Sequence, residues 1–332
     1  MGRRRSVGFG NKPIGGPVEV KSRRVARKLT SAYHSIRNEV YQIDRRLAAA
    51  VVASPPSLSS ISSSSSSSSK VKEKSVDKST MSAVELACYR RRKEELMATL
   101  EENGGVGLYQ LASVVSTKHF KTSRFIVRTL QKELKRIPPS PEAGRLRTLE
   151  VGAINTQLQE CPHLQVRAID VNSQHSRIEE MDFFDLEDAT MGSFDVVVAS
   201  MVINCVECPY KRFEMLVRLV LQLAPGGTLF VMLPVRCVES KHLHGAFVPL
   251  LRALGLGDCI PHHRTPKVAF YVLKRESGEE AGGRIEEGAA RVQNFMKAAI
   301  ARLDPNLVKH LSKPAIFDMP PTEFCMSLIP PP

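Results

Sequence analysis

Glu150, Gly152 and Asp170 have residue types and a spacing that could do chemistry. One apolar run ends in Leu149-Glu150-Val151-Gly152-Ala153-Ile154-Asn155-Thr156, and a second, from Val166, reaches Asp170, 20 residues after Glu150. In doubly wound sheets a ligand lies outside the carboxyl ends of the strands. The glycine lets it approach the backbone, and an acid about 20 residues on takes ribose hydroxyls. The pattern predicts a nucleoside-type ligand. A dinucleotide turn uses several glycines to press a pyrophosphate onto a helix N-terminus, whereas this turn has only Gly152 and no Lys or Arg. A phosphate-free nucleoside fits better, and S-adenosylmethionine, an adenosine joined to an amino-acid tail through a sulfonium, is such a ligand.

On that reading Glu150 holds the tail or organises the turn, Gly152 admits the tail beside the backbone, and Asp170 takes the ribose. Asp182, in Met181-Asp182-Phe183-Phe184, either reaches the adenine amino group or caps a local turn, and the two phenylalanines add apolar walls. Cys205 and Cys208 form a single C-x-x-C with no second pair at zinc spacing, so no metal site is expected there. His262 and His263 read as solvated loop residues, and His34 as a surface contact.

These side chains need a frame. Short apolar runs at 146–151, 166–171, 194–200, 228–233 and 268–274 alternate with helical or turn segments, the texture of an α/β fold with a mostly parallel sheet. The last run comes after a predicted strand at about 258–263 across too few residues for a parallel crossover, so that pair is antiparallel. This closing strand and the Pro225-Gly226-Gly227 turn match the methyltransferase version of the sheet rather than the dehydrogenase version. A helix opens at Pro209 with Phe213, Leu216, Val217, Val220 and Leu221 on one face, and another is expected over 240–254.

Upstream, Ser82 and Glu85 have capping-box spacing ahead of Leu86, Tyr89, Leu96 and Leu100, and Asn103-Gly104-Gly105 ends that helix. A second helix is predicted over 123–137. The basic stretch 21–40 places Val25, Leu29, Tyr33, Ile36 and Val40 at helical spacing and could fold on a partner. The expected organisation is a basic arm (1–53), a Ser-rich disordered linker (54–80), a helical element (81–144) and an S-adenosylmethionine-binding domain (145–276). A helix with Ile285, Val292, Met296, Ala299 and Leu303, then a Pro-rich tail, fill 277–332 and are expected to pack back on the domain.

Formal charge is +13 over 332 residues, unevenly spread: residues 1–148 hold 29 Lys and Arg against 12 Asp and Glu, and residues 149–332 hold 18 against 22. A basic half beside a mildly acidic one suggests one part that finds a polyanion and another that does the chemistry. No apolar run approaches the ~20 residues of a membrane-spanning helix. Seven scattered cysteines, and an Arg3-Arg4-Arg5 start without a secretory apolar stretch, point to a reducing compartment.

The series GVGLYQLAS (105–113), TSRFIVRTL (122–130), LEVGAINT (149–156), IDVNSQHSRIEEMDFFD (169–185), FDVVVASMVINCV (194–206), APGGTLFVMLP (224–234) and TPKVAFYVLKR (265–275) resembles the eukaryotic 25S ribosomal RNA adenine-N(1)-methyltransferase family. The resemblance covers about residues 84–275, and RRVARKLTSAYHSIRNE is similar to the family's N-terminal arm. It implies a Rossmann-like class I methyltransferase fold and S-adenosylmethionine as donor. It also implies large-subunit ribosomal RNA or a pre-ribosomal particle as partner and a nuclear, nucleolar location, beside the expectation of no membrane and no metal already drawn from apolar-run length and cysteine spacing. The family's cofactor glycine falls on Gly152 and its ribose acid on Asp170. Animal relatives resemble S-adenosylmethionine sensors that act through protein partners, which leaves a regulatory binder as the alternative; NAD binding is a third.

The implied acceptor suits the residues at and just beyond the end of the 194–200 run. Ala199-Ser200-Met201-Val202-Ile203-Asn204 has neither the Asn/Asp-Pro-Pro-aromatic motif of exocyclic-amine methylation nor a cysteine placed for cytosine C5 attack. Adenine N1 has an in-plane lone pair and needs no deprotonation first, so positioning suffices. Its Watson-Crick edge must be unpaired or flipped into a pocket, against Met201 or Phe184, with Ser200 and Asn204 as candidate hydrogen-bonding groups.

Overall fold

The computed structural model describes residues 20, 22–53, 81–117, 122–138, 140, 144–173, 175–276, 289–319 and 323–331. The serine tract, the Arg3-Arg4-Arg5 start and residues 277–288, Ile285 among them, lie outside these residues.

The apolar runs pair into one sheet: β1 (Leu146–Val151), β2 (Leu164–Asp170), β3 (Glu179–Glu180), β4 (Phe194–Ser200), β5 (Leu223–Pro234), β6 (Leu256–Asp258), β7 (His263–Arg264) and β8 (Val268–Arg275). Its order is β3-β2-β1-β4-β5-β8-β6, with β7 also on β8. β1 to β5 run parallel, and β8 is antiparallel to β5, β6 and β7. The expected strand at 258–263 is thus two short strands, both on the antiparallel β8. Chain order reverses between β1 and β4, which opens a crevice at their carboxyl ends.

Both sheet faces are covered, which is why β4 and β5 read as near-continuous apolar runs. On one face α5 (Pro209–Gln222) buries Phe213, Leu216, Val217 and Val220 completely, each contributing roughly 1.5–3 kcal/mol. The tail packs beneath it, with Ser327 N donating to Pro209 O at 3.1 Å and buried Arg212 donating to Cys325 O at 2.7 Å. α8 (Ala289–Ala301) buries Val292, Met296 and Ala299, and α9 (Pro305–Leu311) comes next in the chain.

On the other face Ile126 and Leu130 fill the core. The helix predicted over 123–137 is shorter: α4 (Thr122–Arg128) passes into one π-helical turn, Thr129–Glu133, and Lys135 (φ 50°) turns the chain out. The helix expected over 240–254 is also cut down. A four-residue α6 (Val235–Val238) leaves β5 directly, a turn with Gly245 at φ 76° intervenes, and only Phe247–Ala253 is helical as α7.

Of three N-terminal helices, the first and third reach the carboxyl edge of the sheet, through Arg37 to Glu207 and Gln110 to Asp170. α1 (Arg23–Ala53) runs well past the predicted 21–40 and packs within the chain. It buries Ala26, Val40 and Ile43, while Val25, expected on the apolar face, is exposed. α2 (Ala83–Glu102) opens on the predicted capping box, Glu85 N donating to Ser82 Oγ and Ser82 N to Glu85 Oε2. Ion pairs Arg92–Glu39 (2.9 Å) and Lys93–Asp44 (2.5 Å) join α2 to α1. α3 (Gly105–Thr117), which periodicity does not reveal, lies along α1. No described helix is long and apolar enough to cross a membrane.

Candidate active site

The turn after β1 is built on Gly152. Its N–H and that of Ala153 both donate to Ile169 O, at 2.9 and 3.0 Å, which fixes the turn against β2. Gly152 has φ 72°, and a Cβ there would lie 2.9 Å from the Cβ and Cγ2 of Val202. Glycine therefore meets two demands at once, a left-handed backbone and contact with the segment beyond β4.

Asp170 ends the neighbouring strand with its carboxylate buried. Its Oδ1 accepts from Asn172 N (2.9 Å) and from Gln110 Nε2 of α3 (3.0 Å). Burial raises its pKa, opposed by those two hydrogen bonds. Glu150, two residues before the turn, has Oε2 shut from solvent without a hydrogen-bond partner. Burial alone pushes its carboxyl up to about 8. A buried oxygen of this kind lacks a donor or a cation.

The segment after β4 supplies a second set. Ser200 pairs with Met232 of β5, and Met201 takes φ 61°, a conformation rarely adopted outside glycine, with its N–H held on Met232 O. Ile203–Cys205 then forms a 3₁₀ turn that carries Asn204, whose Oδ1 is buried without a partner and whose Nδ2 lies 3.6 Å from Cys205 Sγ. The Gly152–Val202 approach brings this segment to the β1 turn.

Asp182 sits one strand beyond Asp170: Met181 N donates to Asp170 O, and Asp182 Oδ1 caps a short turn through Phe184 N at 2.9 Å. The exposed Asp182 is thus engaged as a cap. Phe184 lies beneath Lys211 and Arg218.

The helices contribute residues whose place beside the site the sequence did not reveal. Tyr33 stacks on Tyr109 at 4.0 Å, and Tyr109 Oη lies 3.2 Å from His34 Nε2 and 3.8 Å from Cys205 Sγ. His34 is not the surface residue its basic neighbourhood suggests: burial and the nearby Arg236 lower its pKa to about 4, so the ring is neutral at physiological pH. Burial raises Cys205 to about 11, which makes it a packed thiol and not a nucleophile. Arg37 Nε pairs with Glu207 at 2.7 Å. His262 and His263 are both exposed, as expected, though His262 rests on Tyr271 and His263 lies on β7 against Phe270 instead of in a loop. Among the described residues no group of three His, Cys, Asp or Glu is placed to hold a metal. Tyr109 and Gln110 left one signal, as a polar pair set between Leu108 and Leu111.

The residues fit S-adenosylmethionine. An unpartnered buried carboxylate answers an ammonium, a glycine cradle leaves room beside the backbone, and a held aspartate answers vicinal hydroxyls. With five parallel strands closed by an antiparallel β8, and this turn at the point where strand order reverses, the fold is that of a Rossmann-like class I methyltransferase. Residues 94–300 match the family described as 25S rRNA (adenine(2142)-N(1))-methyltransferase, Bmt2, and the chain belongs to that family.

The 25S rRNA (adenine(2142)-N(1))-methyltransferase of Saccharomyces cerevisiae is 26% identical over 188 residues, 54% of this chain and 53% of the yeast protein. The chain thus spans about half the length of that curated relative. Among solved structures, the N-methyltransferase NodS of Bradyrhizobium japonicum WM9 with S-adenosyl-L-homocysteine is 18% identical and covers 47% of this chain and 86% of its own, with a TM-score of 0.33. The DszA carbon methyltransferase is 17% identical over 58% and 64%, with a TM-score of 0.38.

Proposed function

We infer that this protein transfers a methyl group from S-adenosylmethionine to N1 of an adenine in large-subunit ribosomal RNA, within a nuclear, nucleolar step of ribosome biogenesis. The observation that carries the reading is the juxtaposition of Glu150, Gly152 and Asp170 at the carboxyl ends of adjacent strands in a chain of this rRNA methyltransferase family.

S-adenosylmethionine, when bound, supplies an electrophilic methyl group on a sulfonium. Glu150 holds the ammonium of its amino-acid tail, Asp170 takes the ribose hydroxyls while Gln110 and Asn172 orient it, and Asp182, fixed through Oδ1 as a cap, reaches the adenine amino group with its other carboxylate oxygen. Ser200 and Asn204 hold the acceptor base, the open Oδ1 of Asn204 accepting from its exocyclic amine. The N1 lone pair lies free in the plane of the ring and would meet that methyl directly, so no residue needs to remove a proton first. These side chains work by placing nucleophile and methyl in line. Basic residues in 1–148 grip rRNA phosphates, and the 145–276 domain performs the transfer.

One observation favours the sensor alternative: Gln110 of α3 touches Asp170, so the helices feel what occupies the site. Purified protein with methyl-labelled S-adenosylmethionine and unmethylated large-subunit rRNA separates the two. Label in the RNA, with a matching reverse-transcription stop, is the expected result. Donor binding without transfer would favour the sensor.

A further inference from the structure

A cavity of about 210 Å³ opens between α6, α7 and β8, away from the β1 turn. We propose that it receives an unstacked nucleobase of the RNA strand whose adenine is methylated, a second base-binding site beside the acceptor position. The inference rests on the RNA reading above.

Place is the first ground. β5 pairs with β4 through Met232–Ser200 and with β8 through Pro234–Val268, so the cavity stands at the same carboxyl edge as Ser200, two strands over, or roughly 10 Å. An RNA strand that crosses this edge meets both.

Shape and lining are the second. The volume is below the ~300 Å³ lower end for drug-sized ligands, too small for a whole S-adenosylmethionine but suited to one flat heterocycle. Val235, Val238 and Val248 give apolar walls, and Tyr271 gives a ring that Phe247 supports edge-on at 5.1 Å. His262 lies 4.6 Å from Tyr271 and keeps 30% of its side chain exposed, so it presents a stacking surface at the mouth. Aromatic and histidine rings are what single-stranded RNA bases stack on.

Charge is the third. Arg264 lines the cavity, and exposed Arg236 and Lys267 are on the two segments that meet beside it, where Val235 N donates to Lys267 O. Glu239, the acid in the lining, is paired with Arg264, and Asp258 Oδ1 lies 3.3 Å from His262 Nε2. Arg236 adds to the burial that keeps His34 neutral, so this cation of the cavity side is also felt beside Cys205 of the acceptor segment. An apolar slot inside a cationic rim is complementary to a base carried on a phosphodiester chain, and exposed ion pairs such as Arg264–Glu239 cost little to rearrange.

The test uses the full chain and a single-stranded oligoribonucleotide of rRNA sequence containing 4-thiouridine. Crosslinks are expected on the peptide carrying His262 and Tyr271. H262A removes a stacking wall and V248W fills the cavity; each should weaken RNA binding roughly fivefold or more, while S-adenosylmethionine affinity stays within about twofold. His262 is at the surface, so H262A decides the matter if V248W does not fold. Wild-type protein that binds RNA with crosslinks only elsewhere, and with affinity unchanged in H262A, overturns the cavity alone. Wild-type protein that binds S-adenosylmethionine but no RNA overturns both the cavity and the reading beneath it.

Discussion

Two residues at the β1 turn make opposite demands on the fold. Gly152 is needed by geometry: an alanine would carry about 1–2 kcal/mol of left-handed strain and press its Cβ on Val202. G152A is expected to lower stability by at least that amount in chemical denaturation and to weaken donor binding tenfold or more by calorimetry. Glu150 works against stability when nothing is bound. Burial raises its carboxyl from 4.5 to about 8, so between those values the folded chain keeps a proton that the unfolded chain has lost. Its contribution to stability therefore falls as pH rises through that window and levels off above it. E150Q removes this penalty, and its Tm relative to wild type should climb from pH 5 to pH 8.5, at about 2–4 °C for each kcal/mol in a domain of this size. A constant difference across that range would mean that water reaches Oε2. Gly152 and Asp170 are legible in sequence because turn and strand end are local features. The orphaned state of Glu150 is not, since it depends on side chains distant in the chain.

At the scale of elements, α3 links the helices to the site through Gln110, which donates to Asp170, and Tyr109, whose Oη lies 3.8 Å from Cys205 Sγ. Q110L keeps the helix and its bulk but leaves Asp170 Oδ1 with Asn172 alone. A hydrogen bond to a charged group contributes roughly 1.5–3 kcal/mol to stability, so Tm should fall by several degrees and S-adenosylmethionine affinity should drop roughly tenfold; unchanged affinity would show that α3 lifts away when the donor binds. α3 was hard to read from sequence because Val106, Leu111 and Val114 are exposed apolar residues, so no face stands out, and Gly105 and Gly107 resemble turn residues. α2 was easy because Ser82 and Glu85 cap it within four residues. The sheet was legible because each strand is a short apolar run. α7 was overextended because Leu243, Leu250 and Leu254 keep a helical period across a turn that Gly245 reserves.

At the scale of the whole molecule, the positive charge of residues 1–148 overstates what is available to phosphate. Arg37 is spent on Glu207 and Arg92 on Glu39, and Arg46 donates to Tyr89 Oη at 2.5 Å. A charge count cannot separate such internal pairs from an RNA-binding face, because the pairing is set by how α1, α2 and the sheet edge meet. Arg24, Arg27 and Lys28 at the start of α1 are exposed and make a compact cationic face. Each phosphate neutralised on a single strand contributes about −0.7 to the slope of log K against log salt. Replacing all three with glutamine should therefore flatten the slope by about 2 in a salt titration with single-stranded rRNA, and donor affinity should stay at the wild-type value. An unchanged slope would move the phosphate grip off α1, leaving the cations around the α6–α7 cavity to explain any RNA affinity that remains.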